Sequence, residues 1–534
     1  MKNYNVIKMV WVFHICLLLL VLQSGAGAAT GNKIYVAKLG SDQTGTGAID
    51  SPYLSINKAI KIATTPDTIV VNEGVYTERI ELLNKSLIIK SLQGPQLTEI
   101  NGNNEYSVIK VSGGSLHLEG FTIKDGYTNS FGGGIIAASA DLTITNCIFM
   151  HNRAETYQWS RGGALVFTNA DSALNNRVVI SNCRFDGNYA SNYGGALAFK
   201  TSFSNAAGVD VLIKDCYFYN NQAGAVGSYI IQEYNKNFEV TCVVLSGLHC
   251  TFTIENCDFS GAAKTDDAVT LFCYGKASGT ISNCLFTHEP AVTPGDSLVH
   301  RAIHVANKTR VDILNCTLIN HAHDEYPNLL VSGGGNARVL NSILWGNDWQ
   351  IELQNVNGLG GNLYIDYSDV QNNIQSVTTS QFSLLDWQEH NITGDPLFCN
   401  PDSGDYSLRA GSPCLNAGEN GVTIGKYGQG CHTNIIENDR TDRYDLELAN
   451  YPNPFNHSTS LQFTSPAPGY LTVNIYDLQG RLVRSLLNDY VQSGRNAVIW
   501  NGADNNNIQT TSGVYFGVLQ CAGQRQVIKM VYVR

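Results

Sequence analysis

Two short stretches of the chain carry side chains that could act together in catalysis. Asp266 and Asp267 are adjacent carboxylates, and His300 and Arg301 are adjacent bases. Paired carboxylates supply the oxygen ligands that Ca²⁺ prefers, and a histidine or arginine beside such a cation can take a proton. The same four residues would also make an ordinary surface ladder of opposite charges, which stabilises a fold little. The sequence therefore offers a candidate catalytic and Ca²⁺-binding site, with a purely structural alternative.

A second set of residues has the chemistry of a binding surface. Tyr157 and Trp159 form an aromatic pair next to Arg161, and His304 lies further along the chain. Aromatic side chains offer flat apolar faces that can stack on sugar rings, and arginine and histidine donate hydrogen bonds. A tryptophan that folds over the edge of the domain explains the same pattern equally well. These four residues are candidate substrate-binding positions.

A repeated six-residue motif indicates which elements hold these residues. It reads apolar, polar, Asn or Asp, Cys, any residue, then Phe or Leu, and a seventh copy has Ser at the Cys position. The copies begin at Ile144, Ile180, Ile213, Ile254, Ile281, Ile313 and Val339. The apolar residues alternate as in strands, and Asn suits a sharp corner because it tolerates the left-handed conformation. A strand, a bend and another strand in every copy predict an all-β solenoid, the parallel β-helix.

Six cysteines share one inward position of the motif, namely Cys147, Cys183, Cys216, Cys257, Cys284 and Cys316. Successive coils of a β-helix lie about 4.8 Å apart with parallel side chains, a geometry that is awkward for disulfides. We therefore predict a buried ladder of free thiols that fills the core, with metal binding as the alternative. The better disulfide candidates lie off the ladder: Cys242 with Cys250, and Cys399, Cys414 and Cys431.

The motif also provides an alignment of the coils around the candidate catalytic residues. Gly162–Leu165 and Gly194–Leu197 both read Gly-Gly-Ala-Leu at the start of a strand, and later coils replace the glycines in Asp266–Val269 and His300–Ile303. This alignment predicts that the two aspartates lie one strand spacing, about 4.8 Å, from His300 and Arg301.

The N-terminus and the net charge restrict where the protein acts and on what. Lys2 and Lys8 precede the apolar run Met9–Leu22, and small residues follow at Ala26–Ala28, so residues 1–28 are predicted to be a signal peptide. No other stretch is long and apolar enough to span a bilayer, so no transmembrane helix is expected in the mature chain. The formal net charge of −11 argues against nucleic acid as a partner. An acidic polymer would require a local cation or a bound metal.

The composition changes after residue 439, and residues 449–534 are predicted to form a small immunoglobulin-like β-sandwich. The predicted strands are Thr459–Thr464, Leu471–Tyr476, Arg481–Leu486, Ala497–Trp500 and Val514–Leu519. The motifs Tyr451-Pro-Asn-Pro-Phe455, Tyr476-Asp-Leu-Gln-Gly480 and Ser512-Gly-Val-Tyr515 resemble the sorting domain of type IX secretion. That resemblance implies the type IX machinery as a partner and a secreted or surface-attached protein of a Gram-negative bacterium. A generic immunoglobulin-like module is the alternative.

The repeat region resembles the right-handed parallel β-helix proteins of the pectate-lyase-like superfamily. Besides the motif itself, the resemblance rests on Ile34–Val36, Gly74–Tyr76, Asp395–Phe398 and Gly411–Cys414. It implies a cap and β-helix over residues 30–345 and a capping end segment with a linker over residues 346–440. It does not specify an activity, because this superfamily includes lyases, hydrolases, esterases and proteins without catalysis.

Three functional hypotheses follow. The leading one is a β-helix that binds extracellular polysaccharide without catalysis. The second is a polysaccharide lyase or hydrolase with its site near Asp267 and Arg301, and the third is an adhesin or a rigid surface spacer. The enzyme requires an open groove that converges on the candidate catalytic residues, whereas the spacer needs none.

Overall fold

The structure is a computed structural model. It describes residues 31–156, 160–169, 175–201, 208–223, 239–246, 250–261, 268–288, 300–319, 326–401, 404–431, 448–456, 458–465, 469–477, 481–491, 494–505, 508–521 and 524–533. The chain forms two compact units, Met1–His432 and Thr433–Arg534.

The first unit is a right-handed parallel β-helix, as the repeated motif predicts. Each coil contributes one strand to each of three faces, and neighbouring coils pair in parallel register. Face 1 comprises Ile135–Ala138, Leu165–Asn169, Leu197–Thr201, Glu239–Ser246, Ala268–Tyr274, His300–Ala306, Leu329–Ser332, Ile351–Gln354 and Val377–Thr379. Face 2 comprises Lys33–Val36, Thr68–Val71, Asp141–Thr145, Asn176–Ser181, Val209–Lys214, Cys250–Glu255, Ser278–Ser282, Arg310–Leu314, Asn336–Leu340, Asn362–Asp366 and Leu384–Trp387. Two long strands, Ile80–Ser91 and Ile109–Glu119, run through both of these faces.

Face 3 is an eleven-stranded sheet that follows the corner in each coil. Its strands are Gly74–Tyr76, Thr98–Asn101, Thr122–Lys124, Ile148–Met150, Arg184–Asp186, Tyr217–Tyr219, Asp258–Gly261, Leu285–His288, Thr317–Ile319, Ile343–Trp345 and Asp369–Val370. A fourth, short sheet lies between face 3 and the next strand of face 1 in four coils. Its strands are Tyr127–Thr128, Arg153–Ala154, Tyr189–Ala190 and Gln222–Ala223.

The corner between face 2 and face 3 has the left-handed backbone that the motif predicts. At all seven motif positions φ lies between 50° and 54°. The residues are Asn146, Asn182, Asp215, Asn256, Asn283, Asn315 and Asn341. Asn and Asp adopt this conformation at lower cost than bulkier residues, so their recurrence sets one sharp corner in each coil.

Aromatic residues of the motif stack on one another inside the helix. Phe149, Phe185, Phe218, Phe259 and Phe286 form a column whose neighbouring ring centroids lie 4.6–4.9 Å apart with nearly parallel planes. All five side chains are buried. The spacing of the coils therefore sets the stacking distance, and offset stacking adds to the burial of apolar surface.

The motif cysteines form the predicted ladder of buried, free thiols, which confirms that prediction. Each thiol lies 3.1–3.3 Å from the carbonyl oxygen two residues earlier in the chain. Burial raises the pKa of the Cys183 and Cys216 thiols well above the ordinary value. They therefore stay protonated and act as small apolar core residues.

The cysteines outside the ladder follow the prediction only in part. Cys399 and Cys431 form a disulfide. Cys250 is free and buried, because it pairs in register with Val209 and takes the place of a core residue. Cys414 is also free, and its thiol lies 3.0 Å from a carboxylate oxygen of Asp369. The side chain of Cys242 lies outside the described residues.

One α-helix, Ile56–Ile62, packs against the first strands of the β-helix through its buried apolar side. Lys85 holds its C-terminal end, because its ammonium group donates hydrogen bonds to the carbonyl oxygens of Ile60 (2.6 Å) and Ala63 (3.0 Å). A cation at this position also complements the negative end of the helix dipole.

At the other end, the end segment, defined as residues 394–431, packs along the outer surface of face 3. Its strands Phe398–Asn400 and Asp405–Leu408 form an antiparallel pair. Short 3₁₀ helices occur at Asn373–Ser376, before this segment, and at Glu419–Gly421, within it. The Lys426 ammonium group contacts the Asp258 carboxylate. This contact joins the segment to a coil 168 residues earlier in the chain.

The second unit is the predicted β-sandwich of two antiparallel sheets. One sheet contains Leu448–Tyr451, Thr459–Ser465 and Gly494–Trp500, and the other contains Gly469–Tyr476, Leu482–Val491, Gly513–Cys521 and Gln524–Tyr532. Its core packs around Trp500. All five predicted strands are present with shifted ends, and the first and last strands of the unit are additional.

Candidate functional site

The strand register differs from the sequence alignment at the candidate catalytic residues. Val269 pairs with Arg301, and Ala268 pairs with His300. The alignment had placed Asp267 opposite Arg301 and is wrong by two residues. The reason is strand length: without the Gly-Gly corner, these two face 1 strands have seven residues, whereas the strands that follow Gly-Gly have five.

The structure describes three of the eight candidate side chains. Asp266, Asp267, Tyr157 and Trp159 lie outside the described residues, and for His300 only the backbone is described. The predicted Ca²⁺ site at the two aspartates and the stacking role of the aromatic pair therefore stay predictions. The described side chains are those of Arg161, Arg301 and His304, and all three lie at face 1.

The outer surface of face 1 carries buried aromatic side chains that point away from the β-helix core. Phe272 and Tyr274 alternate with inward-facing residues of the strand, and their ring centroids lie 5.5 Å apart. His304 occupies the next coil, with its ring centroid 5.0 Å from that of Phe272. These side chains are 4%, 7% and 3% exposed. Phe272 and Tyr274 belong to an apolar cluster separate from the core, with Val166, Ala198, Val269 and Ala306.

His304 is neutral in this cluster. Its Nε2 lies 2.8 Å from the Ser332 hydroxyl oxygen. Burial and the nearby Arg301 guanidinium lower the pKa of His304 well below its usual range. A neutral imidazole can accept a proton or a hydrogen bond at one nitrogen while it donates at the other.

Arg301 lies over an aromatic ring that a buried amide network holds in place. Its guanidinium carbon is 4.6 Å from the ring centroid of Tyr326. The carbonyl of Tyr326 accepts a hydrogen bond from the Asn347 amide at 2.8 Å. Gln350 donates to the carbonyl of Asn347 and accepts a 2.6 Å hydrogen bond from Asn328. The network fixes the backbone of Tyr326, and the ring in turn favours one orientation of the guanidinium.

A second cation–aromatic pair lies at the same face, in coils that precede the coil of Arg301 in the chain. The Arg161 guanidinium carbon is 5.6 Å from the ring centroid of Tyr193 in the next coil. Lys200 projects from the same coil as Tyr193, and burial and Arg161 lower its pKa. From the strand of Leu165 to that of Leu329 there are five coil steps, or about 24 Å at 4.8 Å a step.

The described outward positions from the strand Leu165–Asn169 to the strand Leu329–Ser332 carry no carboxylate, and the next strand has Glu352 beside Leu330. These outward positions are Val166, Thr168, Ala198, Lys200, Phe272, Tyr274, His304, Ala306, Leu330 and Ser332. In a protein with a net charge of −11, this surface therefore combines aromatic rings with positive charge.

Phe272, Tyr274 and Tyr326 are part of this surface but carry no recognisable motif. In the sequence, Phe272 and Tyr274 alternate with Leu271 and Cys273, and this alternation predicts that they lie on the outer side of a strand. Tyr326 could have been found only from the pairing of coils, because 25 residues separate it from Arg301 in the chain.

Within the stretches that the structure describes, no three His, Cys, Asp or Glu side chains converge as a metal site would require. In those same stretches, no helix combines the length and the apolar character needed to cross a membrane.

Residues 449–533 match the model of the secretion system C-terminal sorting domain. The predicted sorting module is thereby confirmed, and with it export from the cell to a surface or extracellular location. The chain is thus a parallel β-helix protein that ends in a type IX secretion sorting domain.

Solved structures resemble the chain at low identity. Pectate lyase Pel9A is 13% identical, with 76% of this chain and 98% of that chain covered and a TM-score of 0.43. A rhamnogalacturonan lyase is 14% identical, with 69% and 90% covered and a TM-score of 0.32. PorZ, a surface component of the type IX secretion system of Porphyromonas gingivalis, is 20% identical over 16% of this chain and 11% of that chain, with a TM-score of 0.13. Similarities at this level carry no argument about activity. No curated protein matches the chain.

Proposed function

We propose that the β-helix binds an acidic extracellular polysaccharide along the outer surface of face 1. The observation that supports this is the row of Arg161, Lys200 and Arg301 among aromatic rings, on the stretch of face 1 from Leu165 to Ser332, whose described outward positions carry no carboxylate. An acidic protein needs such a local concentration of cations to bind an acidic polymer, because its net charge repels one.

The chemistry of the row suits uronic acid units. Guanidinium groups form paired hydrogen bonds with carboxylates, and aromatic rings pack against the apolar faces of sugars. The row extends over about 24 Å, so its ligand is a chain of several sugars.

The residues of the row differ in solvent exposure, and this difference indicates which of them contact the polymer. Arg161, Tyr193, Lys200 and Tyr326 are partly exposed, whereas Arg301 is 7% exposed. We expect the polymer to contact the partly exposed residues. Arg301 acts mainly through its charge, which is felt more strongly in a cluster that excludes water.

The experiment is a binding titration of the mature protein with polygalacturonate, alginate and chondroitin sulfate. Lys200→Gln should weaken binding about tenfold or more, since hydrogen bonds to charged groups contribute roughly 1.5–3 kcal/mol. Arg301→Gln should weaken it less, because Arg301 acts through its charge and not through contact. The affinity should also fall as salt is added. Arg338→Gln is a matched control, because Arg338 is a half-exposed arginine on face 2. The proposal fails if the wild-type protein binds none of the three polymers.

A polysaccharide lyase or hydrolase near Arg301 is the second candidate function. It is favoured by the position of His304 and Arg301, three residues apart on one strand, because side chains of these types can take a proton next to a bound carboxylate. Asp266 and Asp267 would then hold Ca²⁺. Incubation of the same polymers with and without Ca²⁺, followed by detection of new chain ends, tests it. Turnover that Asp267→Ala abolishes would establish the enzyme, and binding without turnover would exclude it for these polymers.

A further inference from the structure

Several arginine side chains of the β-helix lie over tyrosine rings, and in these pairs the tyrosine follows the arginine by one coil. In each pair the arginine belongs to one coil and lies over a tyrosine ring of the next coil. Besides Arg161–Tyr193, this holds for Arg153–Tyr189, at 5.2 Å, and for Arg184–Tyr217, at 5.9 Å from guanidinium carbon to ring centroid. The two latter pairs are direct register partners in the fourth sheet and in face 3.

These three pairs lie in neighbouring coils, between Arg153 and Tyr217 in the chain, and form a band around the β-helix. The arginine–tyrosine band is defined by Arg153, Arg161, Arg184, Tyr189, Tyr193 and Tyr217. Along the chain it passes from face 3, through the fourth sheet, to the start of face 1. At that point Arg161 and Tyr193 also belong to the proposed polysaccharide row, so the band and the row share this pair.

The fourth sheet shows how the band presents its side chains. Tyr127, Arg153, Tyr189 and Gln222 are successive register partners, one per coil. The Arg153 guanidinium lies over the Tyr189 ring, so that ring face is covered within the stack. The guanidinium N–H and phenol O–H groups of this pair are then the parts left for a ligand. Arg153 is 51% exposed, and the other three are partly exposed.

The charges of the band differ from those of the face 1 row. Arg153 donates to Glu155 at 2.9 Å, and Arg184 pairs with Asp186. In both cases the acid lies two residues after the arginine, so the pair is neutral overall. A neutral ladder of hydrogen-bonding edges suits the hydroxyl groups of a sugar chain rather than its carboxylates.

We propose that the band is a second binding surface for the same polysaccharide, which it engages through sugar hydroxyls where a long chain continues beyond face 1. This inference rests on the proposed function of face 1. It predicts that the band contributes only to long chains, and that its contribution depends little on salt, because it does not arise from net charge.

The test compares a polymer with its own short fragments, each shorter than the row of about 24 Å. The variant combines Tyr189→Phe, Arg153→Gln and Glu155→Gln, which removes a hydroxyl and a guanidinium but keeps planar groups in the stack and leaves the band neutral. For the polymer of the acidic panel that binds best, affinity should fall about five- to tenfold, as expected for lost hydrogen bonds. Affinity for the short fragments should not change, and neither should the salt dependence.

The matched control is Arg338→Gln with Tyr364→Phe, because Arg338 and Tyr364 are register partners on face 2, outside the band. Equal binding of the long polymer by wild type and band variant overturns the inference, whether or not the melting temperature falls. Equal losses for long and short ligands also overturn it. If the wild-type protein binds no acidic polymer at all, the proposed function fails and the inference fails with it.

Discussion

The inside of the β-helix and the outer surface of face 1 are built in opposite ways. Inside, one residue type recurs at one position in coil after coil, as in the column from Phe149 to Phe286 and in the thiol ladder. On the outer surface of face 1, the residue at one position changes from each coil to the next. Val166, Ala198, Val244, Phe272, His304 and Leu330 follow one another there.

The difference shows where stability and where specificity are located. Identical residues can stack inside because every coil offers them the same environment, and such repetition stabilises each coil against its neighbours. A surface that recognises a ligand cannot be uniform, because it must place distinct groups at distinct heights along the helix. Substitutions inside should therefore change stability, and substitutions outside should change binding.

The largest effect is expected for Phe218→Ala, within the inner column. Loss of a buried ring and the cavity left behind should reduce the free energy of unfolding by about 3–5 kcal/mol. Phe218→Leu should cost much less, because Leu318 already occupies the same position in a later coil. Urea denaturation of both variants measures the difference. A loss below about 1 kcal/mol for Phe218→Ala would mean that the column is not the main stabilising element.

A smaller effect is expected from a buried carboxylate on the outer side of face 3. Burial raises the pKa of Asp369 to about 6, although the hydrogen bonds from Cys414 and Gly394 lower it. Since the folded state then favours the protonated form, stability is full below about pH 4 and is lost as the pH rises through 6. The loss should reach about 2–3 kcal/mol. Denaturation curves between pH 4 and 8 measure it, and Asp369→Asn should remove this part of the pH dependence. An unchanged pH profile in the variant would contradict the assignment.

Replacement of a phenylalanine on the outer surface of face 1 should change binding more than stability, unlike replacement of one in the inner column. Phe272→Leu keeps an apolar side chain of similar size, so the free energy of unfolding should fall by no more than about 1.5 kcal/mol. Affinity for acidic polysaccharide should nevertheless fall several-fold, because Phe272 belongs to the buried cluster that supports Tyr193, a proposed contact residue. Calorimetry and a binding titration on one preparation separate the two effects. Unchanged binding would show that this ring only packs the surface.

The smallest effect is expected for Cys316→Ser, at the end of the thiol ladder. In the next coil, Ser342 holds the equivalent position, and its hydroxyl donates to the carbonyl of Leu340 at 2.8 Å. A serine at 316 can make the same contact with Leu314, so the free energy of unfolding should change by less than about 1 kcal/mol. Thermal melting tests this. A larger loss would show that the thiol contributes more than volume.

Sequence alone was sufficient for every feature that repeats. The Asn corners, the buried thiols and the phenylalanine column follow from one motif, because each coil solves the same packing problem with the same residues. The sorting domain was recognisable for a related reason: its motifs mark turns and strands that are local in the chain. Its first strand, Leu448–Tyr451, and its last, Gln524–Tyr532, were not predicted.

The candidate site depended on tertiary structure. Arg301 and His304 were identified from the sequence and lie on one strand, but Phe272 and Tyr326 belong to the coils before and after it, and only the pairing of coils brings them together. The alignment of Asp267 with Arg301 failed for the same physical reason. Where the Gly-Gly corner is absent, the strands lengthen from five to seven residues, and the pairing is then set by which side chains reach the core, Leu271 and Ile303. Local patterns thus determined the coil, while the contacts between coils determined the surface on which a ligand would bind.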